Sequence, residues 1–224
     1  MTMTEQDPGG VRRALRALED ANASVRLRAA LEAGSAPDPR YVDALVERCA
    51  VEPEFFVRDM LTWALTRHPV ERTLPRVLGE LGAESARARS QALHTLSKLG
   101  DPRAWPSITR GHLTDADDEV ARAAWRTAVL LVPDGEERAL AEVLATQLGR
   151  GGRETQLSLS RALTGLGSVV EPVLRAAARH PDPGVRAHAL ATERLLRDPG
   201  AGFGYAIEEA KRVVALGGAA PGGD

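Results

Sequence analysis

Five histidines, one cysteine and a column of arginines are the residues of this chain best suited to chemistry. His68, His94, His112, His180 and His188 share no metal-ligand spacing with one another or with a carboxylate pair, as an HExxH helix would. They read as surface or turn residues. Cys49 stands alone, which excludes an internal disulfide and a cysteine-based metal site. It lies on the apolar side of its segment and reads as core rather than as a nucleophile. Gly149-Arg-Gly-Gly152 is followed by no Lys-Ser/Thr and preceded by no strand, so it is a turn and not a phosphate loop. No serine elbow is present. The sequence therefore predicts no catalytic residue, no metal and no cofactor.

Arginine outnumbers lysine 27 to 2. The first reading of that ratio is the coding bias of a GC-rich bacterial genome. Five arginines nevertheless recur at a near-constant interval: Arg26, Arg58, Arg89, Arg122 and Arg186, with Gln156 in the fifth slot of six. The successive steps are 32, 31, 33, 34 and 30 residues. Such a column has two uses. It can face an acidic partner or phosphates, or it can lock the turn at the start of each repeat. Asp20, Glu52, Glu84, Asp117 and Asp182 precede these arginines in the turns, and a structural ladder is the expected use.

The elements that carry the column are helices. Apolar residues fall at helical spacing between Gly, Pro and Asp-rich turns, and no stretch shows the alternation of a strand. Helices are expected at 11–18, 25–34, 39–50, 54–68, 71–81, 85–99, 102–113, 119–132, 136–148, 153–166, 169–178, 185–196 and 203–216. Gly34, Gly82, Gly100 and Gly167 are expected to end theirs. One position before each arginine slot stand Val25, Val57, Ala88, Ala121, Thr155 and Val185. Three after stand Ala29, Leu61, Ala92, Trp125, Leu159 and Ala189, and seven after stand Ala33, Leu65, Leu96, Val129, Leu163 and Glu193. These columns form the buried stripe of every second helix. Aromatics are only 4% of the chain, which suits closely packed Ala/Leu/Val helices.

The result is an all-α chain: an α-solenoid of about six helix pairs plus a C-terminal helix, spanning 10–216. Residues 1–9 are expected to be disordered and 217–224 a flexible tail. Leu96-Ser-Lys-Leu-Gly-Asp-Pro-Arg-Ala-Trp-Pro106 with Asp115-Ala-Asp-Asp-Glu-Val-Ala-Arg-Ala-Ala124 resembles the short bacterial HEAT repeat, the kind also seen in phycobilisome-lyase-type proteins. Pro181-Asp-Pro-Gly-Val-Arg-Ala-His-Ala-Leu190 repeats that turn and second helix. The resemblance covers roughly 10–197 and implies binding of another macromolecule through an inner, concave surface. Gln156 and the Gly-rich turn before it depart from the pattern.

A net charge of −2 gives no field for nucleic acid or anionic membrane. The longest apolar run, 128–133, cannot span a bilayer, and residues 1–10 lack the pattern of a signal peptide. A cytoplasmic protein is expected. HEAT-like alkylpurine DNA glycosylases use tryptophans, an aspartate and an arginine on a basic face. Here Trp63, Trp105 and Trp125 are followed four residues later by Arg67, Thr109 and Val129, so that match is poor. Positions one, five and eight after the arginine slot are expected to face away from the core. They include Asp59, Trp63, Ser90, His94 and Arg161, with Arg67 one turn beyond Trp63. An exposed Trp beside an Arg has the composition of an interface hot spot. The packed alternative sets Trp63 against Phe56, Tyr41 or the N-terminal helix. The function expected is a non-enzymatic protein–protein interaction module. Nucleic-acid binding or base repair, and help with protein maturation or cofactor attachment, are the alternatives.

Overall fold

The computed structural model describes residues 8–217. Among these, every regular element is helical. The residues expected to be disordered or loose fall outside the described range, except that the first helix already begins at Pro8 and the last runs to Gly217. The chain gathers into two compact units, one ending at Ser107 and one starting at Ile108.

The first unit holds α1 (Pro8–Ala17), α2 (Ala23–Ser35), α3 (Val42–Val51), α4 (Phe55–Thr66), α5 (Val70–Gly79) and α6 (Ala86–Leu99). Helices α2, α4 and α6 are the second members of successive pairs and pack side by side, while α3 packs on both α4 and α6. The core is where the repeat columns place it. Ala29, Leu61 and Ala92 are buried, as are Ala33, Leu65 and Leu96. Asn22 and Ser85 cap α2 and α6 with their side-chain oxygens, satisfying amides that a helix start leaves open.

Gly34 does not end its helix. It lies inside α2, buried against α4: a Cβ there would meet the Trp63 ring at 2.3 Å and the Ala64 Cα at 2.9 Å. Its small size, not its conformational freedom, is what the fold uses.

The second unit holds α7 (Arg110–Leu113), α8 (Asp118–Leu131), α9 (Glu137–Ala145), α10 (Arg153–Gly165), α11 (Glu171–Ala177), α12 (Pro183–Arg197) and α13 (Phe203–Gly217). Here α8, α10 and α12 are the neighbouring second helices. The helix expected over 102–113 is broken. A 3-10 stretch covers Pro102–Ser107, and the single turn α7 follows. Pro106 supplies no amide and restricts Trp105 before it, so an α-helix cannot run through. Thr109 then restarts the chain with a capping box, its amide donating to the His112 ring at 3.1 Å. Trp125 is fully buried on α8, and its indole nitrogen donates to the Leu113 carbonyl at 2.8 Å.

Helix α13 is not an appendage. Phe203, Ala206, Ile207 and Ala210 close over Ala187 and Ala191 of α12. That overturns part of the sequence expectation. Positions one and five after the arginine slot are exposed or half-buried in the first unit and at Leu157 and Arg161, but buried at Ala123, Thr127, Ala187 and Ala191. At α12 the cover is α13. The outward face of a repeat is therefore not a fixed property of the column, because a neighbouring element can occupy it.

Candidate functional site

The arginine column sits at the first turn of each second helix, where a long side chain leans back toward the helix N-terminus. Arg58 donates through one terminal nitrogen to the carbonyls of Glu52 and Pro53 at 3.0 and 2.6 Å. Arg89 does the same to Ala83 and Glu84, and Arg186 to His180 and Pro181, all within 2.9 Å. Arg26 reaches Asp20 and Ala21 at 2.8 and 2.9 Å. The acceptors are thus the carbonyls five and six residues back. Among the acidic side chains of the turns, Glu52 is gripped by Arg26. Asp117 and Asp182 instead cap α8 and α12. Gln156 reaches the Gly151 carbonyl at 3.2 Å.

Repeat four departs from this. Arg122 bonds Glu119 and pairs with Glu154. The turn carbonyl of Ala116 accepts from Arg150, which comes from the following turn and also bonds Asp118.

Glu52 is the polar centre of the first unit. It is fully buried between two guanidinium groups. Arg26 grips it with two bonds of 2.7 Å, Arg48 adds one of 2.8 Å, and the Glu54 amide adds a fourth at 3.0 Å. Burial alone would raise its pKa. The bonds from Arg26, Glu54 and Arg48 overcome that and hold the carboxyl at about 2. The group is an ion-paired lock between the first two pairs, not an acid–base catalyst.

Two buried polar seams, absent from the sequence reading, join neighbouring second helices. On α6 the Gln91 side chain donates to the Thr62 hydroxyl of α4 at 2.8 Å, and Thr95 donates to the Gln91 carbonyl at 2.9 Å. Thr62 and Thr95 are 3.4 Å apart. In the second unit Ser160 of α10 lies 3.0 Å from His188 Nε2 and 2.8 Å from the Thr192 hydroxyl. Thr192 donates to the His188 carbonyl at 2.8 Å. The Gly149 amide donates to His188 Nδ1 at 3.0 Å, which leaves the proton on Nε2, facing the Gln156 carbonyl and Ser160. Burial pushes this imidazole down to about 4, against the pull of the Gln156 carbonyl. The Phe203 ring closes over it edge to face.

The expectation of surface or turn histidines fails at His188, buried inside α12; His68 lies in the turn after α4, as expected, but is buried there. His68 donates through Nδ1 to the Ala64 carbonyl and meets Tyr41 edge-on. His112 and His180 do occupy turns, each accepting a backbone amide. His94 is half-buried on α6. Cys49 is buried, and burial lifts its thiol to about 12, which removes it as a nucleophile near neutral pH. No group of three or more His, Cys, Asp or Glu that could hold a metal occurs among the described residues.

The proposed contact residues divide between the units. On α4 and just past its end, Asp59, Trp63 and Arg67 share one face, one helical turn apart. Asp59 and Arg67 are exposed. Trp63 is both packed and open: the ring lies on Gly34 of α2 and is still 37% exposed. Neither Phe56 nor Tyr41 is its seat. Phe56 is 76% exposed at the start of the same helix, and Leu31 of α2 is 45% exposed. Phe55 packs edge-on to Phe56 with the Arg58 guanidinium over its ring. Ser90 and His94 are half-buried on α6. Arg161 is exposed on α10 in the second unit.

Residues 57–129 match the family model of HEAT repeats. That span runs from α4 to α8 and contains the Arg58, Arg89 and Arg122 slots. HEAT repeats generally scaffold protein–protein interaction and are not a catalytic framework. No curated protein matches the chain. Among solved structures, an engineered protein from the Northeast Structural Genomics Consortium has 18% identity and a TM-score of 0.46 to it. The match covers 90% of this chain and 97% of that one. No helix among the described residues is long and apolar enough to cross a membrane.

Proposed function

We propose that this chain is a non-enzymatic protein-binding scaffold of the short bacterial HEAT type. Its partner contact centres on the α2–α4 face of the first unit, with Ser90 and His94 at its border and Arg161 as a separate contact. The observation that carries this reading is the placement of Trp63. Its ring is braced from below by Gly34, which lowers the entropy cost of presenting it. Asp59 and Arg67 lie one helical turn to either side of it, and the exposed Leu31 and Phe56 belong to the same two helices, α2 and α4. A braced tryptophan with an arginine and an acid one turn away matches the residue types that dominate interface energetics. A partner surface with an apolar side chain for the Trp63–Leu31 strip, flanked by a base and an acid, fits it. The balanced charge supports a protein partner over a nucleic acid. A cytoplasmic setting is supported by the single, unpaired cysteine.

The test is a photo-crosslinking residue at Asp59 in the native cell, paired with Trp63→Ala. The expected result is a discrete crosslinked partner whose recovery falls at least about tenfold in the variant, as loss of a hot spot predicts. A folded Trp63→Ala chain that recovers the same partner in full removes this face from the function.

A further inference from the structure

The second unit contains a cavity that the protein-binding reading meets only at Arg161. It lies between α10, the C-terminal end of α12 and the 199–203 segment, and its volume is about 530 Å³. Small-ligand pockets run from roughly 300 to 1,000 Å³, so it is of ligand size. Leu157, Leu195, Leu196 and Phe203 supply apolar wall. Leu157, Arg161 and Thr164 recur at i, i+4 and i+7, which sets them on one stripe of α10. Arg161 is the only charged residue in the lining. Among the described residues its guanidinium has no carboxylate within ion-pair distance and no hydrogen-bond acceptor.

That last point separates Arg161 from the arginines of the ladder, each of which already has a turn carbonyl or a carboxylate. It also separates this cavity from a neighbouring one of about 410 Å³ between α12 and α13. There Arg194 is paired with Glu209 and lies over the Tyr205 ring, and Arg197 bonds Glu193. The charges of that second cavity are satisfied within the protein.

We infer that the α10–α12 cavity binds a monocarboxylate carried on an apolar chain. A guanidinium matches a carboxylate geometrically, with two parallel N–H donors to two oxygens. One cation balances one anion; a doubly charged phosphate would leave charge uncompensated against leucine and phenylalanine. The Thr164 hydroxyl proton is committed to the Arg161 carbonyl at 3.2 Å, so the side-chain donor the cavity offers an anion is Arg161. The apolar wall asks for the chain that the carboxylate terminates. A free medium-chain acid and the C-terminal residue of a peptide ending in Leu or Phe both carry this chemistry. The inference does not depend on the α2–α4 face.

The test is calorimetric titration of the full chain with octanoate, with octanamide, and with N-acetyl-Leu-Leu-Phe as acid and as amide. Saturable binding of an acid is expected, weakened about tenfold or more both in its amide and in Arg161→Gln, the cost of losing a charged hydrogen bond. Arg138→Gln, a surface change on α9, should leave binding unchanged. Octanoate binding that meets these conditions assigns the free acid; binding of the peptide acid alone assigns a chain terminus. Binding of neither acid, equal binding of acid and amide, or an unaltered affinity in a folded Arg161→Gln chain overturns the inference. Because Trp63 lies elsewhere in the sequence and in the first unit, failure here leaves the crosslinking result intact.

Discussion

In the first unit Thr62 of α4 meets Gln91 and Thr95 of α6; in the second, Ser160 of α10 meets His188 and Thr192 of α12. The register is the same. A hydroxyl four positions after one arginine slot reaches the residues two and six positions after the next. The proton order is also the same: the residue at position two donates to that hydroxyl, the hydroxyl faces a threonine, and the threonine donates back to a carbonyl of its own helix. One occupant differs. Gln91 cannot titrate in the accessible range, whereas His188 can. The second seam also reaches further, because His188 holds the Gly149 amide and so ties the α9–α10 turn to α12. One register can thus carry either a pH-neutral fastener or an acid-sensitive one, according to a single side chain.

The comparison breaks most severely at Glu52→Gln. The change leaves Arg26 buried with half its partner, and loss of one member of a buried ion pair costs about 3–5 kcal/mol. Hydrogen exchange resolved by helix should show α2, α3 and α4 losing protection while α10 and α12 keep theirs. Equal loss in both units would mean that they unfold as one.

Acid should do the reverse. The folded pKa of His188 is about 4, below its ordinary 6.5, so the unfolded chain binds the extra proton between those values. Its stabilisation is complete above pH 6.5 and declines as pH falls to 4. Between pH 7 and pH 5 the second unit should lose about 2 kcal/mol by linkage. Glu52, held at about 2 against 4.5, contributes in the same direction but only below pH 4.5. Exchange protection at pH 5 should therefore drop in α12 before it drops in α4, and His188→Gln should flatten the difference.

The smallest effect is expected at Thr62→Val. It leaves the Gln91 amide without its acceptor and should cost about 1–2 kcal/mol by thermal denaturation. The matching change Ser160→Ala should cost a similar amount, since His188 Nε2 keeps the Gln156 carbonyl and Thr192 keeps the His188 carbonyl.

The column arithmetic made the helix pairs and their core legible from sequence. Leu61, Leu65, Ala92 and Leu96 are buried because a helix brings every third or fourth residue to one face, and that period is written in the chain. The arginine ladder was legible as a column, but its acceptors were not. Backbone carbonyls leave no residue type to read, and the turn aspartates drew attention to themselves while serving as helix caps. The seams were illegible for a different reason. Thr62 and Gln91, or Ser160 and His188, become partners only when two helices some thirty residues apart are laid side by side. His188 is counted among surface or turn residues although it lies inside the expected helix 185–196; its burial comes from Ser160 and Phe203, which the helical period alone does not bring to it. The break at Pro106 is written in the sequence, since proline supplies no amide and restricts the residue before it. Trp63 required Gly34 to be seen as a socket instead of a helix stop.

Arg58 and Arg186 hold the carbonyls five and six residues behind them, within their own turn. A segment of about thirty residues with such an arginine is self-contained at that corner. It can be copied, deleted or moved along a gene without rewiring what stands on either side. Repeat four shows the opposite state, since its turn is held by Arg150 from the next loop. Copying that segment alone would leave a turn without its keeper. Growth of this chain by tandem duplication is thus easiest through segments like those of Arg58 and Arg186.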